Sequence, residues 1–261
     1  MTTMITSRGC PYDCKFCNVQ RKHRLRSIGN VVDEMELCSR LGYNEIFFID
    51  DTFNVTTDRV IGLSEEILKR GLKIKWGFKA RCDNVDIKML TVAQKAGCFR
   101  IHYGIETGLD SGLSSINKKL TLDTVISAFV DTKKLGIRTT AYFMLGCPHE
   151  RNVSDIMETI SFACRVKADF AVFSLFSPYP DTAFYREGVK RGIIDPQSWS
   201  AFIKNPFSKP NLPTCWEEHF TKRDLVYFLK LAHRNFYCRW HVIFNALFSV
   251  FSFKEFIRLV R

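Results

Sequence analysis

The sequence is paced by strand and helix signals that alternate in units of about 30 residues, roughly six in succession. Short apolar runs at 3–7, 45–49, 75–80, 99–104, 138–145 and 170–176 read as strands. Amphipathic stretches at 31–41, 57–70, 86–96, 122–135 and 153–166 read as helices. Several of these stop at a glycine (Gly42, Gly71, Gly97, Gly136), where a left-handed residue closes the last turn. Ile46-Phe47-Phe48-Ile49 is continuously apolar, as a parallel strand buried on both faces would be. The pattern predicts an α/β fold, a parallel sheet curled as a partial (β/α)6 barrel. No glycine-rich dinucleotide fingerprint follows the first run, so a doubly wound nucleotide-binding sheet is the weaker alternative.

The pattern changes near residue 183. We expect a barrel core over 1–182 and a mainly helical C-terminal extension over 183–261. The extension contains a helix at 184–194, a proline-rich loop at 205–213 and a longer helix at 217–237. Residues 242–253 carry no charge and precede Lys254, Arg258 and Arg261. Twelve residues fall short of the roughly 20 that cross a bilayer, so this tail reads as a helix packed on the barrel. Peripheral contact with a membrane surface or a partner is the alternative.

Composition excludes disorder, with 46% hydrophobic and 25% charged residues. The 23 phenylalanines call for a large aromatic core or an apolar contact surface. Net charge is +11, and from Ala183 onward 13 Lys and Arg stand against 6 Asp and Glu. That excess suits an anionic partner such as an acidic electron donor, a lipid surface or nucleic acid, although a solvated face is the plainer reading. Seven of ten cysteines (Cys38, Cys82, Cys98, Cys147, Cys164, Cys215, Cys238) stand singly among apolar residues, as buried free thiols do. The first residues carry no secretory signal, and a reducing cytosol fits best, with membrane association through the tail left open.

The remaining three cysteines lie together, in the C-x3-C-x2-C spacing of Cys10, Cys14 and Cys17, directly after the first strand. Three thiolates on one short loop can hold three irons of a cubane and leave the fourth open to a substrate. A structural zinc site would want a fourth ligand, for which His23 is available. A disulfide plus a free thiol disagrees with the compartment.

The segment Arg8-Gly9-Cys10-Pro11-Tyr12-Asp13-Cys14-Lys15-Phe16-Cys17 resembles the cluster loop of the radical S-adenosylmethionine (SAM) superfamily. Asp50-Asp51-Thr52-Phe53, Tyr103-Gly104-Ile105-Glu106-Thr107-Gly108, Leu145-Gly146-Cys147-Pro148-His149-Glu150 and Ser177-Pro178-Tyr179-Pro180 resemble strand-end motifs of its cobalamin-associated branch. That branch includes class B methyltransferase-like and anaerobic cyclase-like proteins. The likeness spans about residues 2–182 and is most specific at the cysteines.

All these motifs fall at the carboxyl ends of the expected strands, where a parallel barrel builds its site. The resemblance implies a 4Fe-4S cluster on Cys10, Cys14 and Cys17, with SAM chelating the open iron. It also implies reductive cleavage to a 5′-deoxyadenosyl radical for methyl transfer, cyclisation or oxidation of a substrate. Asp50 and Asp51 would lie near the SAM amino group, with a helix cap or solvated pair as the alternative. Arg81 would end the third strand on the same rim. Glu106 would accept from the ribose hydroxyls, or else pair with Arg81 or Arg100. Gly146 would let the backbone approach the adenine, or simply turn before Pro148. Phe16 would pack beside the adenine or cover the cluster. His149 stands where relatives more often have glycine. No catalytic residue is assigned, and His102 and Tyr103 receive no role.

The chain begins almost at the first strand, so cobalamin is expected only through a separate or missing domain. Implied partners are a small-molecule or lipid-like substrate and a flavodoxin- or ferredoxin-type electron donor. A truncated, inactive cluster-binding remnant is the nearest alternative. A zinc-stabilised nucleic-acid module ranks below it, because the aromatic and basic motifs of RNA-binding folds are missing.

Overall fold

Six strands pair side by side in the order in which the chain makes them, all parallel. This computed structural model describes residues 1–204 and 214–240. Along the chain come β1 (Thr2–Met4), β2 (Ser7–Arg8), β3 (Arg24–Leu25), α1 (Ile28–Arg40), β4 (Glu45–Phe48), α2 (Thr57–Lys69), β5 (Lys75–Ala80) and α3 (Ile87–Lys95). Then follow β6 (Cys98–Glu106), α4 (Asp110–Ser115), α5 (Leu122–Lys134), β7 (Arg138–Leu145), α6 (Val153–Arg165), β8 (Phe170–Leu175), α7 (Ala183–Lys190), α8 (Ser198–Lys204) and α9 (Lys222–Tyr237). The sheet order is β1-β4-β5-β6-β7-β8, while β2 and β3 form a separate antiparallel ribbon. This is the α/β architecture expected from the sequence.

The two faces of the sheet differ in chemistry because strand residues alternate sides. One face presents Trp76, Phe78, Ile101, Tyr103 and Phe143 to the helices, and all are essentially inaccessible. The other presents Lys79, His102, Glu106 and Tyr142, none of them fully buried. Helices α2, α5 and α6 start where Thr56, Thr121 and Asn152 accept a hydrogen bond from the first turn. Each such cap is worth about 1 kcal/mol. The chain takes positive φ at Gly42, Gly71, Gly97 and Gly136, the four expected helix ends.

Several boundaries differ from the sequence reading. Pairing in the main sheet stops at Met4 rather than Ser7, because Thr6 N–H is taken by Asp50 and Ser7–Arg8 pairs with β3 instead. The helix expected over 217–237 starts at Lys222, where Thr221 and Asp224 form a reciprocal cap. The helix expected over 184–194 is Ala183–Lys190. The apolar side of α9, Leu225, Phe228, Ala232 and Phe236, joins the main core. All ten cysteines are free, but of those expected to be buried, Cys238 is exposed and Cys38 and Cys164 are half-buried. The loop 205–213 and the tail 242–253, with Lys254, Arg258 and Arg261, lie outside the described residues. Among the described residues no helix is long and apolar enough to cross a membrane.

Candidate functional site

The cysteine loop leaves the sheet after β1 and is fastened on several sides. Cys10 N–H donates to Gln20 O at 2.9 Å, Cys17 N–H to Cys14 O at 3.1 Å, and Lys15 N–H to Ile116 O at 3.0 Å. The Asn117 amide donates to Asp13 O at 2.7 Å, and Arg21 donates to Tyr12 O and Cys17 O. Gly9 has φ +82°, and a Cβ there would lie 2.4 Å from Lys22 O. Only glycine fits this entry to the loop. Cys10 and Cys14 are buried and Cys17 is half-buried. Burial pushes the Cys14 thiol above its ordinary value, opposed by the nearby charges of Lys118 and Arg81.

The donor set suits an iron–sulfur cluster, which takes one thiolate per iron and needs no convergence of three ligands on one atom. Among the described residues no three His, Cys, Asp or Glu side chains gather around a single metal position. The Nε2 of His23 is buried and has no partner among the described residues.

The two acidic residues after β4 divide their work. Asp50 is 2% exposed and accepts from Thr6 N–H at 2.6 Å, Thr6 Oγ1 at 2.6 Å and Ser7 Oγ at 2.7 Å. Its carboxylate ties down the start of the cysteine loop. Asp51 accepts from Gly9 N–H at 3.1 Å and keeps its exposure to the rim. Neither caps α2, whose N-cap is Thr56.

At the end of β6 the ladder slips between Gly104 and Glu106, and Glu106 takes φ +80°. The irregularity re-aims the side chain. Glu106 Oε1 accepts from Lys118 Nζ at 2.6 Å, so its partner is Lys118 and not Arg81 or Arg100. Arg81 is 5% exposed, binds Asp83 at 2.7 Å, donates to Lys118 O at 2.6 Å and lies 3.9 Å over the Tyr12 ring. It thus links β5 to the cysteine loop and to Lys118. Phe16 faces the Lys118 ammonium at 5.8 Å and packs on a cluster that includes Cys147, Phe176 and Trp216.

Gly146 ends β7 with φ +81°, and a Cβ there would meet Leu225 of α9 at 2.7 Å. The positive φ therefore favours glycine here, and any larger residue would also have to push the tip of Leu225 aside. Beside it stands Glu150, which the sequence reading passed over. Its Oε2 accepts from Gly146 N–H at 2.6 Å and Cys147 N–H at 3.0 Å, and its Oε1 from Thr159 Oγ1 at 3.2 Å. Burial pushes this carboxyl up to about 7, against those three donors. His149 holds Thr107 Oγ1 at 3.1 Å, and burial pushes it down to about 4. Lys118 was also missed. A lysine three residues past a short helix carries no periodicity signal, and only the fold turns it toward Glu106.

A cavity of about 240 Å3 opens among these strand ends, touching Asp51, Arg81, Glu106 and Lys118 at the rim and Lys79, His102 and Tyr142 further down the strands. The cysteine loop stands beside it, joined through Tyr12, Arg81 and Phe16.

The model of the radical SAM superfamily matches residues 4–163 of this chain. The chain belongs to the radical SAM superfamily. An uncharacterized methyltransferase of Pyrococcus horikoshii is 29% identical over 255 residues, which cover 96% of this chain and 54% of that protein. The anaerobic magnesium-protoporphyrin IX monomethyl ester cyclase of Rubrivivax gelatinosus is 30% identical, over 78% of this chain and 38% of its own. A radical SAM methyltransferase structure, TsrM from Kitasatospora setae with cobalamin and a 4Fe-4S cluster bound, superposes with TM-score 0.68 and 20% identity. That match covers 73% of this chain and 37% of TsrM. The chain thus spans about half or less of the proteins it matches, and its kinship with methyltransferases and cyclases agrees with the branch expected from the motifs.

Proposed function

We propose that this radical SAM chain holds a 4Fe-4S cluster on Cys10, Cys14 and Cys17 and cleaves SAM reductively beside the Glu106–Lys118 pair. The radical formed would act on a carbon of a substrate lodged in the adjoining cavity, for methyl transfer, cyclisation or oxidation. The observation that carries this reading is the shared rim: the cysteine loop, the ion pair and the cavity mouth are joined through Arg81 and Lys118. The cluster and SAM together supply one electron and the 5′-deoxyadenosyl radical that removes hydrogen from carbon.

The chain's own residues bind and orient. Lys118 offers an ammonium to the SAM carboxylate, and Glu106 offers a carboxylate to the ribose hydroxyls. Asp51 faces the rim as an acceptor for the SAM amino group, while Asp50 and Arg81 fix the loop that presents the cysteines. Phe16 gives an apolar wall between cluster and cofactor, and Gly146 keeps the backbone of the β7 end close. Residues 1–182 would carry this chemistry and 183–261 would brace it, since α9 seats against β7 and β8. A flavodoxin- or ferredoxin-type donor suits the net charge of +11. Cobalamin would enter through a separate domain, a reading supported by kinship with a methyltransferase whose structure holds it.

Anaerobic reconstitution with iron and sulfide, followed by dithionite and SAM, should give a brown protein that releases 5′-deoxyadenosine. Cys14→Ala should lose both the colour and the release. A colourless zinc protein would overturn the proposal, and a brown protein that releases nothing would mark an inactive remnant.

A further inference from the structure

Below the rim, the cavity ends on groups that the SAM-binding reading does not use. Lys79 of β5 and His102 of β6 are register partners across the sheet, and both line the cavity with Tyr142 of β7. Arg100 lies two residues before His102 on the same strand, so its side chain shares that face.

Among the described residues, buried side-chain nitrogens of His102 and Arg100 lack a hydrogen-bond partner. His102 Nδ1 and Tyr142 Oη are 3.1 Å apart, which is one hydrogen bond. A neutral imidazole and a phenol bring one N–H and one O–H. If the phenol donates, the imidazole hydrogen sits on Nε2; if Nδ1–H donates, the phenol hydrogen is left over. Either arrangement leaves one donor uncommitted. His102 Nε2 is buried without a partner among the described residues, and so is Arg100 Nε. Burial, aided by the charges of Arg100 and Lys79, pushes His102 down to about 4, which keeps the imidazole neutral near pH 7. Lys79 and Arg100 make no ion pair among the described residues, although Arg100 lies 4.9 Å over the Phe99 ring. The acidic groups on the cavity wall are already engaged, Glu106 by Lys118 and Asp51 by Gly9 N–H.

We propose that the substrate carries an anionic oxygen group, a carboxylate or a phosphate, which seats on this floor between Lys79, Arg100 and the His102–Tyr142 pair. The anion meets the Lys79 ammonium, offsets the charge of Arg100 on the same face and accepts the Tyr142 hydroxyl hydrogen, which is spare when His102 Nδ1–H donates to Oη, and the rest of the substrate then points up the strands toward the rim. A neutral apolar substrate would leave both cations without a counter-ion and that hydroxyl hydrogen without an acceptor. The assignment rests on the reading that SAM occupies the Glu106–Lys118 rim, since that places the floor on the substrate side.

The test uses the reconstituted chain with SAM present, titrated calorimetrically with benzoate, inorganic phosphate and the neutral isostere benzamide. Benzoate or phosphate should bind, and benzamide should bind at least tenfold more weakly. Lys79→Met and Arg100→Met should each weaken the bound anion by about tenfold, as loss of a charge-assisted contact does. Lys88→Met, on an exposed part of α3, should change nothing. Lys79→Glu should abolish binding, and because Lys79 is exposed that variant should keep its fold by circular dichroism. Comparison of benzoate with phosphate decides which oxyanion fits. Equal binding of benzamide, no binding of either anion, or anion binding indifferent to Lys79 and Arg100 would overturn the inference. Release of 5′-deoxyadenosine without anion binding would sink only this inference, whereas anion binding without release would sink the proposed function and leave an anion site no longer assigned to a substrate.

Discussion

The Lys118 ammonium lies 2.6 Å from Oε1 of Glu106, while the backbone carbonyl of Lys118 accepts from Arg81 at 2.6 Å. A single residue thus ties the end of β6 to the guanidinium stacked on Tyr12 in the cysteine loop. The two charged side chains are only 7% and 13% exposed, so each depends on the other for compensation.

Lys118→Met should therefore destabilise the fold by about 3 kcal/mol, because it leaves the Glu106 side chain enclosed without its partner. Glu106→Gln in the same chain should restore part of the loss. Denaturant midpoints of the two single variants and the double variant measure the coupling. Additive losses would show that the pair does not interact. SAM binding by equilibrium dialysis should fall in all three variants, which separates the binding role from the structural one.

Gly9→Ala should disturb the cysteine loop more than the rest of the fold. The methyl would have to enter space held by Lys22 O at 2.4 Å with φ held at +82°. Strain at such a position is on the order of 1–3 kcal/mol. The strands and helices are fastened elsewhere, so far-ultraviolet circular dichroism should be nearly unchanged. Iron retained after reconstitution should drop well below the level of the unaltered chain. Full iron loading would mean that the loop relaxes around the methyl.

How far these features were legible depended on whether they were local. The cysteine spacing, the glycine helix ends and the alternation of strand and helix are short-range signals, and they located the loop and six parallel strands. Pairings between distant residues left no such trace. Asp50 and Asp51 are neighbours of the same type, yet one is enclosed by Thr6 and Ser7 and the other faces the rim. The sequence offered Arg81 or Arg100 only as alternative partners for Glu106, and the slip in the β6–β7 ladder turns it to Lys118. Glu150 was hidden for the same reason, since its role is set by backbone donors that exist only once β7 has turned at Gly146.

The pH response of Glu150 has a definite sign. Its carboxyl is raised from 4.5 to about 7, so the folded chain holds this proton more tightly than the unfolded one. Its contribution is fully present below 4.5 and is lost as pH rises toward 7. Glu150→Gln removes that dependence and leaves His149, which acts in the opposite direction below 6.5, common to both proteins. The stability advantage of the unaltered chain over the variant should shrink on the order of 1 kcal/mol per pH unit between pH 5 and 7. Urea midpoints at half-unit intervals check this. Parallel profiles would show that Glu150 does not titrate in this window.

The contact between Gly146 and Leu225 separates backbone strain from crowding. Gly146→Ala meets both a φ of +81° and a Leu225 methyl at 2.7 Å. Leu225→Ala alone should cost about 2–5 kcal/mol as a cavity under α9. In the Leu225→Ala background the crowding is gone, so Gly146→Ala should then cost only the strain of the left-handed backbone, about 1–2 kcal/mol. In the unaltered background it should cost more. The difference between the two costs, read from denaturant midpoints, measures how tightly α9 presses on the end of β7. Equal costs would mean that α9 shifts freely, and that the C-terminal helix does not brace the rim at Gly146.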